Sequence, residues 1–351
     1  MRPGTLFCLM VTSLLAGSTL AISQEEKPLV FTKFPVERPL AETNYFKINN
    51  LPVDGLCLYA DSLLFIRNAT GSSPNHFSLF NLRRQSFLSA HVASGGKYGQ
   101  ATSFISYGVS NGYLWAYDIM KDKIILSDLD QVLYGKNNPV REMAVPSFYY
   151  SIQLLNDSGI VASGDYDSDY KVAQLTLSTG HIEKQIAPWS FDPKAPSPRA
   201  RKMGYESFLL LQPSGGKCAL ACRYADQLEI IDLDFRQSKI IKGPENYEPA
   251  VMVMKGNDGK ELSARNSDTR YAFVKGKVTD QFIYLLYSGN NHNSSHLYYG
   301  KSIYVYDWNG NPVQKINLTG YVLDFVVTKD DSLLYTYDPA SNYIQVARLK
   351  N

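Results

Sequence analysis

The chain has 351 residues, with 35 Lys and Arg against 33 Asp and Glu, and a formal net charge of +2 at neutral pH. Because the two signs of charge are nearly balanced, a global electrostatic attraction to nucleic acid or to acidic membrane surfaces is excluded. Tyr is abundant, at 25 residues, and it occurs in aromatic and β-branched runs that are typical of β-strands.

The first 21 residues have the features of an export signal. Arg2 provides a short basic start, and Leu6 to Leu15 is an apolar stretch of signal-peptide length. Thr19-Leu-Ala21 is an acceptable cleavage site. The apolar stretch is too short to span a membrane, so we predict a signal peptide over 1–21 and a single mature domain over 22–351.

The end of this leader resembles a bacterial lipobox with one difference. In Leu15-Ala-Gly-Ser18, Ser18 stands where the lipidated Cys would be. Thioether lipidation needs a thiol, so the sequence predicts a periplasmic or secreted protein, with lipid anchoring as the less favoured alternative.

After the leader, a unit of short strand-type runs separated by turns recurs about every fifty residues. The clearest copies are Leu56 to Phe65, Phe104 to Asp118 and Val322 to Asp338. Repetition of strand units at a fixed period is typical of a β-propeller, in which four-stranded blades surround a central axis. The predicted fold class is therefore an all-β propeller.

Six blades give the best account of the chain, and they are predicted over 52–95, 101–135, 146–187, 205–243, 269–319 and 320–349. Five blades are the alternative if the weak second blade is misread, and seven would need strands that the sequence lacks. The last blade ends after three strands, and an unpaired edge favours aggregation. We expect the N-terminal segment, within 28–50, to supply the missing outer strand and close the ring.

Three cysteines remain after the leader. Cys218 and Cys222 lie four residues apart in a predicted strand, about 13 Å from each other. A disulfide needs Cα atoms within about 7 Å, so we expect these two, with Cys57, to be small buried side chains.

These features together resemble the TolB-like six-bladed β-propeller proteins of Bacteroidetes, many of which are envelope lipoproteins. The matching residues are the near-lipobox, Asp61-Ser-Leu-Leu-Phe-Ile66 and His76-Phe-Ser-Leu-Phe-Asn-Leu82. The stretch Gly95 to Phe104 keeps the glycines and the Phe of a family turn but lacks its Pro and Glu. The resemblance implies a fold and an envelope location, and no common chemistry.

In a propeller, ligands usually meet the loops that lead into the innermost strands, and several of these loops are basic here. If they converge, they form a positive funnel for carboxylate or phosphate groups, with adjacent tyrosines that could stack on a flat group such as a sugar. The predicted ligand-binding residues are Lys97, Arg141, Arg199, Arg201, Lys202, Tyr205, Arg265 and Arg270. The expected partner is a protein or an anionic small molecule or glycan.

Two motifs share part of the pattern of a metal site. Asp165 to Tyr170 alternates carboxylates like a calcium loop, but it lacks the central Gly, and the twelfth position is Thr176. His292 and His296 have a helical zinc spacing within a Gly-, Asn- and Ser-rich segment, without a third ligand. We therefore predict an acidic hairpin tip and a loop, and no metal or cofactor.

Catalytic motifs are missing from the sequence, which has no Gly-x-Ser-x-Gly elbow. No catalytic residue is predicted, and a non-catalytic binding module is the leading hypothesis. One alternative is a metal-dependent lactonase or esterase, with Asn111, Asn156, Asp157 and Asp324 as acidic or amide residues near strand ends. Another is a scaffold in a larger envelope assembly.

Overall fold

The computed structural model describes residues 27–49, 51–134, 140–191, 197–235, 237–250 and 252–350. The predicted leader, with Ser18, lies outside these residues. Within them, six sheets of four or five strands and one two-stranded hairpin account for nearly all regular structure. The strands are antiparallel except for one added parallel strand in two of the sheets. The prediction of an all-β, six-bladed propeller is confirmed.

The N-terminal segment runs along the outside of three blades before the first blade begins. Its strands are β1 (Leu29–Val30), β2 (Glu37–Leu40) and β3 (Thr43–Lys47). The first two add a fifth, parallel strand to the outer edges of blades 4 and 5.

Blades 1 to 3 follow in chain order, each built from the channel outward. The strands of blade 1 are β4 (Val53–Tyr59), β5 (Leu63–Asn68), β6 (Asn75–Asn81) and β7 (Ser86–Ala93). Those of blade 2 are β8 (Phe104–Ser110), β9 (Tyr113–Asp118), β10 (Lys123–Asp128) and β11 (Val140–Ala144), with helix α1 (Leu129–Tyr134) before the last. Those of blade 3 are β12 (Ser151–Leu154), β13 (Gly159–Ser163), β14 (Tyr170–Thr176) and β15 (Ile182–Pro188).

Helix α2 (Pro198–Gly204) leads into the second half of the ring. The strands of blade 4 are β16 (Ser207–Leu211), β17 (Lys217–Cys222), β18 (Gln227–Asp232) and β19 (Ser238–Lys242). A hairpin, β20 (Met252–Lys255) and β21 (Glu261–Ala264), separates it from blade 5, whose strands are β22 (Phe273–Val278), β23 (Phe282–Tyr287), β24 (Gly300–Asp307) and β25 (Pro312–Val322). Blade 6 contains β26 (Asp324–Val327), β27 (Leu333–Asp338) and β28 (Tyr343–Arg348).

Blade 6 obtains its outermost strand from the other end of the chain. β3 pairs antiparallel with β28, with Thr43 opposite Val346 and Lys47 opposite Tyr343. The pairing removes the free edge that three strands would leave. The predicted closure of the ring by a strand within 28–50 is therefore confirmed.

Neighbouring blades are held together by apolar packing and by hydrogen bonds between their innermost strands. Large buried side chains such as Trp115 and Tyr117 of blade 2 pack against blade 3. At three blade junctions a backbone N–H donates to a polar side chain of the preceding blade. The N–H of Ile152 donates to Ser106 Oγ at 3.1 Å, that of Leu209 to Ser151 Oγ at 3.1 Å, and that of Leu56 to Asp324 Oδ2 at 2.8 Å.

The β20–β21 hairpin lies between two predicted blades and was not predicted, and the strands of two blades also differ from the prediction. Blade 2 has a fourth strand, β11, whose sequence Val-Arg-Glu-Met-Ala carries two charges and no aromatic residue, so it lacked a strand signal. The sequence pattern predicts the innermost strand of blade 5 over Tyr271 to Val274, but in the structure this strand begins at Phe273 and continues through Lys275 and Lys277. The difference in blade 5 affects the site described next.

Among the described residues, both helices are short, at six and seven residues. Neither has the length or the apolar character needed to cross a bilayer.

Candidate functional site

The innermost strands surround a cavity of about 500 Å³ on the axis of the ring. This volume falls within the range of roughly 300–1,000 Å³ that is usual for small-molecule sites. All six blades contribute to its wall. The side chains that carry charge or an aromatic ring are Asp54, Arg67, Tyr107, Tyr150, Glu206, Phe208, Arg223, Lys275, Lys277, Tyr298 and Tyr299.

The innermost strands of a propeller all start at the same end of the channel, which we call the mouth face. In each blade the strands alternate in direction, so the connections into the innermost strands and those between the second and third strands lie at this face. The loop carrying Tyr298 and Tyr299 joins β23 to β24, and it therefore places these two rings at the mouth of the channel.

Most of the charged groups in the channel are paired. Arg67 Nη1 lies 3.0 Å from Asp54 Oδ2, and Arg223 Nε lies 2.8 Å from Glu206 Oε1. A third pair joins blade 5 to blade 6, because Lys277 Nζ lies 3.2 Å from Oδ2 of the fully buried Asp324.

Lys275 differs from these other channel cations. Its Nζ donates to the backbone carbonyl of Asp54 at 2.8 Å, and no carboxylate in the described part of the chain lies within ion-pair distance of it. Burial lowers the pKa of Lys275, while the nearby carboxylates of Asp324 and Asp54 act in the opposite direction. The channel thus contains a desolvated ammonium that forms no direct ion pair, since the nearby carboxylates of Asp54 and Asp324 are paired with Arg67 and Lys277. An anion placed beside it would gain from the pairing.

The wall around these lysines is tightly packed on the side of blade 1. The Tyr107 hydroxyl approaches Gly55 so closely that a Cβ at this position would lie 1.8 Å from it. Cys57 is beside them, and burial raises the pKa of its thiol, which disfavours the reactive thiolate. Lys275, Phe208 and Tyr150 line the same cavity.

The predicted basic loops are brought together only in part. Arg199, Arg201 and Lys202 lie on α2 at the mouth face, with Tyr205 just after the helix. Lys97 is exposed in the loop between blades 1 and 2. Arg141 lies on the outermost strand of blade 2, over the ring of Tyr113, and donates to the carbonyl of Asp157. It thus lies near the opposite face.

Several of these cations already have partners within the protein. Arg199 Nε lies 2.8 Å from Asp167 Oδ1, and Lys202 Nζ donates to the carbonyl of Ser168 at 2.6 Å. Arg270 pairs with Glu245.

Arg265 and Tyr205 are also engaged. Arg265 donates to the Tyr271 hydroxyl at 2.9 Å, and the Tyr271 ring packs against Tyr298 at the channel mouth. Tyr205 hydrogen-bonds to Glu248. Of the eight predicted residues, Arg265 is thus the one connected to the channel through a neighbouring side chain.

The acidic hairpin tip proves to be the counterpart of the basic helix. Asp167, in the loop between β13 and β14, accepts hydrogen bonds from Lys260 and Arg199, and these lower its pKa. The tip thereby ties α2 and the β20–β21 hairpin to blade 3. The acidic residue of the calcium-like motif, Asp167, and a cation of the predicted basic funnel, Arg199, therefore form an ion pair with each other.

The remaining metal suggestions find no site in the part of the chain that the structure covers. His296 stacks on Tyr321 at 4.2 Å, and His292 lies parallel to Tyr271. Asn111 donates to the carbonyl of Leu154, and Asn156 accepts from Ser158 within a turn. Across the described ranges, no three His, Cys, Asp or Glu side chains are placed to hold one ion. Cys57, Cys218 and Cys222 are free thiols.

Asp226 anchors the base of the segment that leads to the β20–β21 hairpin. Its Oδ2 accepts from the Glu245 N–H at 2.9 Å, and it is 1% exposed. Burial, reinforced by the nearby Glu245 carboxylate, raises the pKa of Asp226 to about 6. The folded state therefore favours the protonated acid, and the stability associated with this group is present below pH 4 and is lost as the pH rises through 6.

Asp226→Asn is accordingly expected to raise the free energy of unfolding at pH 7.5 by roughly 1–3 kcal/mol and to change it little at pH 4. Urea unfolding at the two pH values measures this difference. Asp258→Asn, at an exposed Asp that also accepts a backbone N–H, is the matched control and should have little effect at either pH. Equal effects of Asp226→Asn at both pH values would contradict the assignment.

Sequence reasoning missed the channel charges. The sequence pattern places Arg67 and Arg223 at the ends of predicted strands, and Lys275 and Lys277 beyond the end of one. The available signal was Phe-Val-Lys-Gly-Lys-Val at 273–278, in which two lysines two residues apart share one face of an innermost strand. Polar side chains on the inner face of a propeller strand point toward the channel.

The ring of six blades and its charged axial cavity define the protein as a six-bladed β-propeller. The sequence matches the family model described as TolB-like 6-blade propeller-like over residues 41–330. The chain belongs to this family, and the resemblance noted in its sequence is confirmed.

Solved structures give the same fold at low sequence identity. A protein from Bacteroides fragilis, described as exported, is 14% identical, has a TM-score of 0.57 and is matched over 93% of this chain and 100% of its own. The WD40 repeats of RRP9 are 9% identical, with a TM-score of 0.50 over 88% of this chain and 97% of their own. At these identities the likeness concerns the fold alone. No curated protein matches the chain in sequence.

Proposed function

We propose that this propeller is a non-catalytic binding module that takes the anionic group of a small molecule, or an acidic side chain of a protein partner, into its central channel. The observation that carries the proposal is Lys275, a partly buried ammonium with no ion pair of its own among the described residues, on the wall of a 500 Å³ cavity. The surrounding ion pairs neutralise the other cations.

The predicted contacts at the mouth fit this proposal in a modified form. Arg265 lies beside Tyr271 and Tyr298, where it can attract an anion toward the channel. Arg199 and Lys202 support the cap at the mouth face through Asp167 and Ser168. Lys97 and Arg201 stay exposed, and we assign them to the electrostatic approach of the ligand rather than to its final contacts.

The test is a titration of the purified protein with anions of increasing size. Inorganic phosphate, citrate and glucuronate are suitable probes, because they separate charge alone from charge on a larger carbon frame. Isothermal titration calorimetry should detect a saturable site for at least one of them, unaffected by EDTA. Absence of binding by all three at millimolar concentrations would count against an anionic small molecule, and EDTA-sensitive ester or lactone hydrolysis would favour the enzyme alternative.

We further propose that the protein works outside the cytoplasm, on the strength of its leader sequence. In that case the protein purified from the cell envelope or medium begins at Ile22, after cleavage at Ala21. Intact-mass spectrometry checks this directly. A bulky charged residue in place of Ala21 should block cleavage and leave the full chain, whereas an unprocessed wild-type protein would argue against export.

A further inference from the structure

A second cavity, of about 210 Å³, opens between blades 3 and 4 at the mouth face. It lies among the faces of β17 to β19, the start of β14 and the connection that follows β15. We call it the lateral pocket, and it is lined by Pro28, Lys171, Trp189, Ser190, Phe191, Tyr205, Ser207, Leu220, Gln227, Glu229, Ile240 and Lys242. Ser207 is the one residue that also lines the channel cavity.

One wall of the lateral pocket is aromatic. The rings of Trp189 and Phe191 are stacked, with centroids 5.4 Å apart and planes inclined by 15°. Phe191 also contacts Tyr205, at 5.7 Å between centroids. Trp189 is partly exposed, whereas Trp115 and Trp308 are buried at 1% and 5% exposure. Lys171 Nζ lies over the Trp189 ring and the Arg201 guanidinium over the Phe191 ring, each 5.4 Å from the centroid. The part of this wall that remains exposed is suited to a flat partner.

The base of the pocket is charged. Lys171 Nζ donates to both carboxylate oxygens of Glu229, at 2.9 and 2.7 Å, and the two side chains are only 9% and 4% exposed. A buried ion pair contributes little net stability, since desolvation offsets the Coulomb attraction. The Glu229 oxygens keep further lone pairs, and Gln227 adds an amide at the rim.

We propose that the lateral pocket binds a pyranose ring of a neutral sugar. Such a ring has an apolar C–H face, which the wall of Trp189 and Phe191 fits, and a polar edge of hydroxyl groups for Glu229 and Lys171. A purely apolar ring would displace the water that hydrogen-bonds to the ion pair and would offer no hydrogen bonds in its place, which is unfavourable. The volume equals that of about seven water molecules, which is the size of one monosaccharide.

This site is separate from the anion site proposed for the channel. Its binding groups come from the facing sides of two blades, while Lys275 lies on the channel wall of blade 5. The neutral ring also needs no ammonium without a counter-ion, because Lys171 is already paired. Failure of one proposal therefore leaves the other open to its own test.

Trp189 provides a local signal for the experiment. The other two tryptophans are buried, and their indole N–H groups donate to Ser110 Oγ and to the Thr279 carbonyl. Acrylamide quenching of the intrinsic fluorescence should therefore report chiefly on Trp189. The probes are the methyl glycosides of glucose, galactose, mannose and N-acetylglucosamine, and we expect at least one of them to protect Trp189 from quenching in a saturable manner.

Two variants test the assignment, and one serves as the matched control. Phe191→Ala should weaken the protection by about tenfold, and Glu229→Gln should also weaken it while keeping the shape of the side chain. Phe235→Ala, at an exposed ring outside the pocket, should have no effect, and neither should Lys275→Met. Circular dichroism verifies that each variant is folded.

Three results would overturn the proposal. They are the absence of protection by all four glycosides, protection by indole or p-cresol but by no glycoside, and full protection in both pocket variants.

Discussion

Replacing Lys275 with Met is expected to weaken anion binding in the channel by about ten- to a hundredfold, the contribution of one hydrogen bond to a charged group. The protein should remain folded, because the substitution removes a desolvated ammonium whose pKa is already lowered by burial and leaves a side chain of similar length. Calorimetric titration with the anion that binds the wild type measures the loss.

The pH dependence of anion affinity provides a second test of Lys275. Since the pKa of Lys275 is lowered, wild-type affinity should fall as the pH rises and this ammonium loses its proton before an exposed lysine would. Lys275→Arg keeps its charge at every accessible pH, so any binding that it retains should lose this dependence.

The control for charge alone lies at the opposite face. Lys329 is exposed in the loop between β26 and β27, and Lys329→Met changes the net charge equally. It should leave the affinity unchanged. Equal affinities of wild type and Lys275→Met would remove Lys275 from the site.

Asp324→Ala is expected to reduce the free energy of unfolding by about 3–5 kcal/mol, the cost typical of breaking a buried ion pair. Asp324 is fully buried at the junction where blade 6 meets blade 1. Its Oδ2 accepts from the Leu56 N–H at 2.8 Å and from Lys277 Nζ at 3.2 Å, and its Oδ1 accepts from its neighbour Phe325 at 2.8 Å. The alanine variant leaves these donors, one of them a cation, without their acceptor.

Urea unfolding of a double-mutant cycle separates the pair from its surroundings. Lys277→Met alone leaves an unpaired buried carboxylate, and Asp324→Asn alone leaves an unpaired cation. Asp324→Asn with Lys277→Met removes both charges and keeps an acceptor for Leu56. The double variant should therefore be more stable than the sum of the single effects implies. Additivity within about 0.5 kcal/mol would show that the two side chains are not coupled.

An exposed pair of the same chemistry serves as the comparison. Asp167 and Lys260 lie 3.1 Å apart with side-chain exposures of 56% and 53%. Lys260→Ala, which removes only this pair, should cost no more than about 1 kcal/mol, because exposed ion pairs are screened by solvent. A similar loss for Lys260→Ala and Asp324→Ala would contradict the special role of the buried junction.

The strand pattern was predictable wherever it depends on neighbours along the chain. Runs such as Tyr113 to Asp118 and Leu333 to Asp338 combine aromatic residues with turn residues at both ends, and they lie in the structure where the pattern predicted them. β11 escaped prediction because Val-Arg-Glu-Met-Ala has no such local signal and depends on pairing with β10. The need for an N-terminal closing strand followed from counting strands in blade 6.

The sequence by itself determined the class of fold, the number of blades and the origin of the closing strand, because these depend on local periodicity and on the rule that no edge remains open. Only the tertiary structure decided which charges meet. Lys275 reaches the carbonyl of Asp54 across 221 positions of sequence, and Arg199 meets the acidic tip at Asp167. Such contacts form because the closed ring brings distant strands to one axis. The local sequence pattern does not indicate which of these strands will be neighbours.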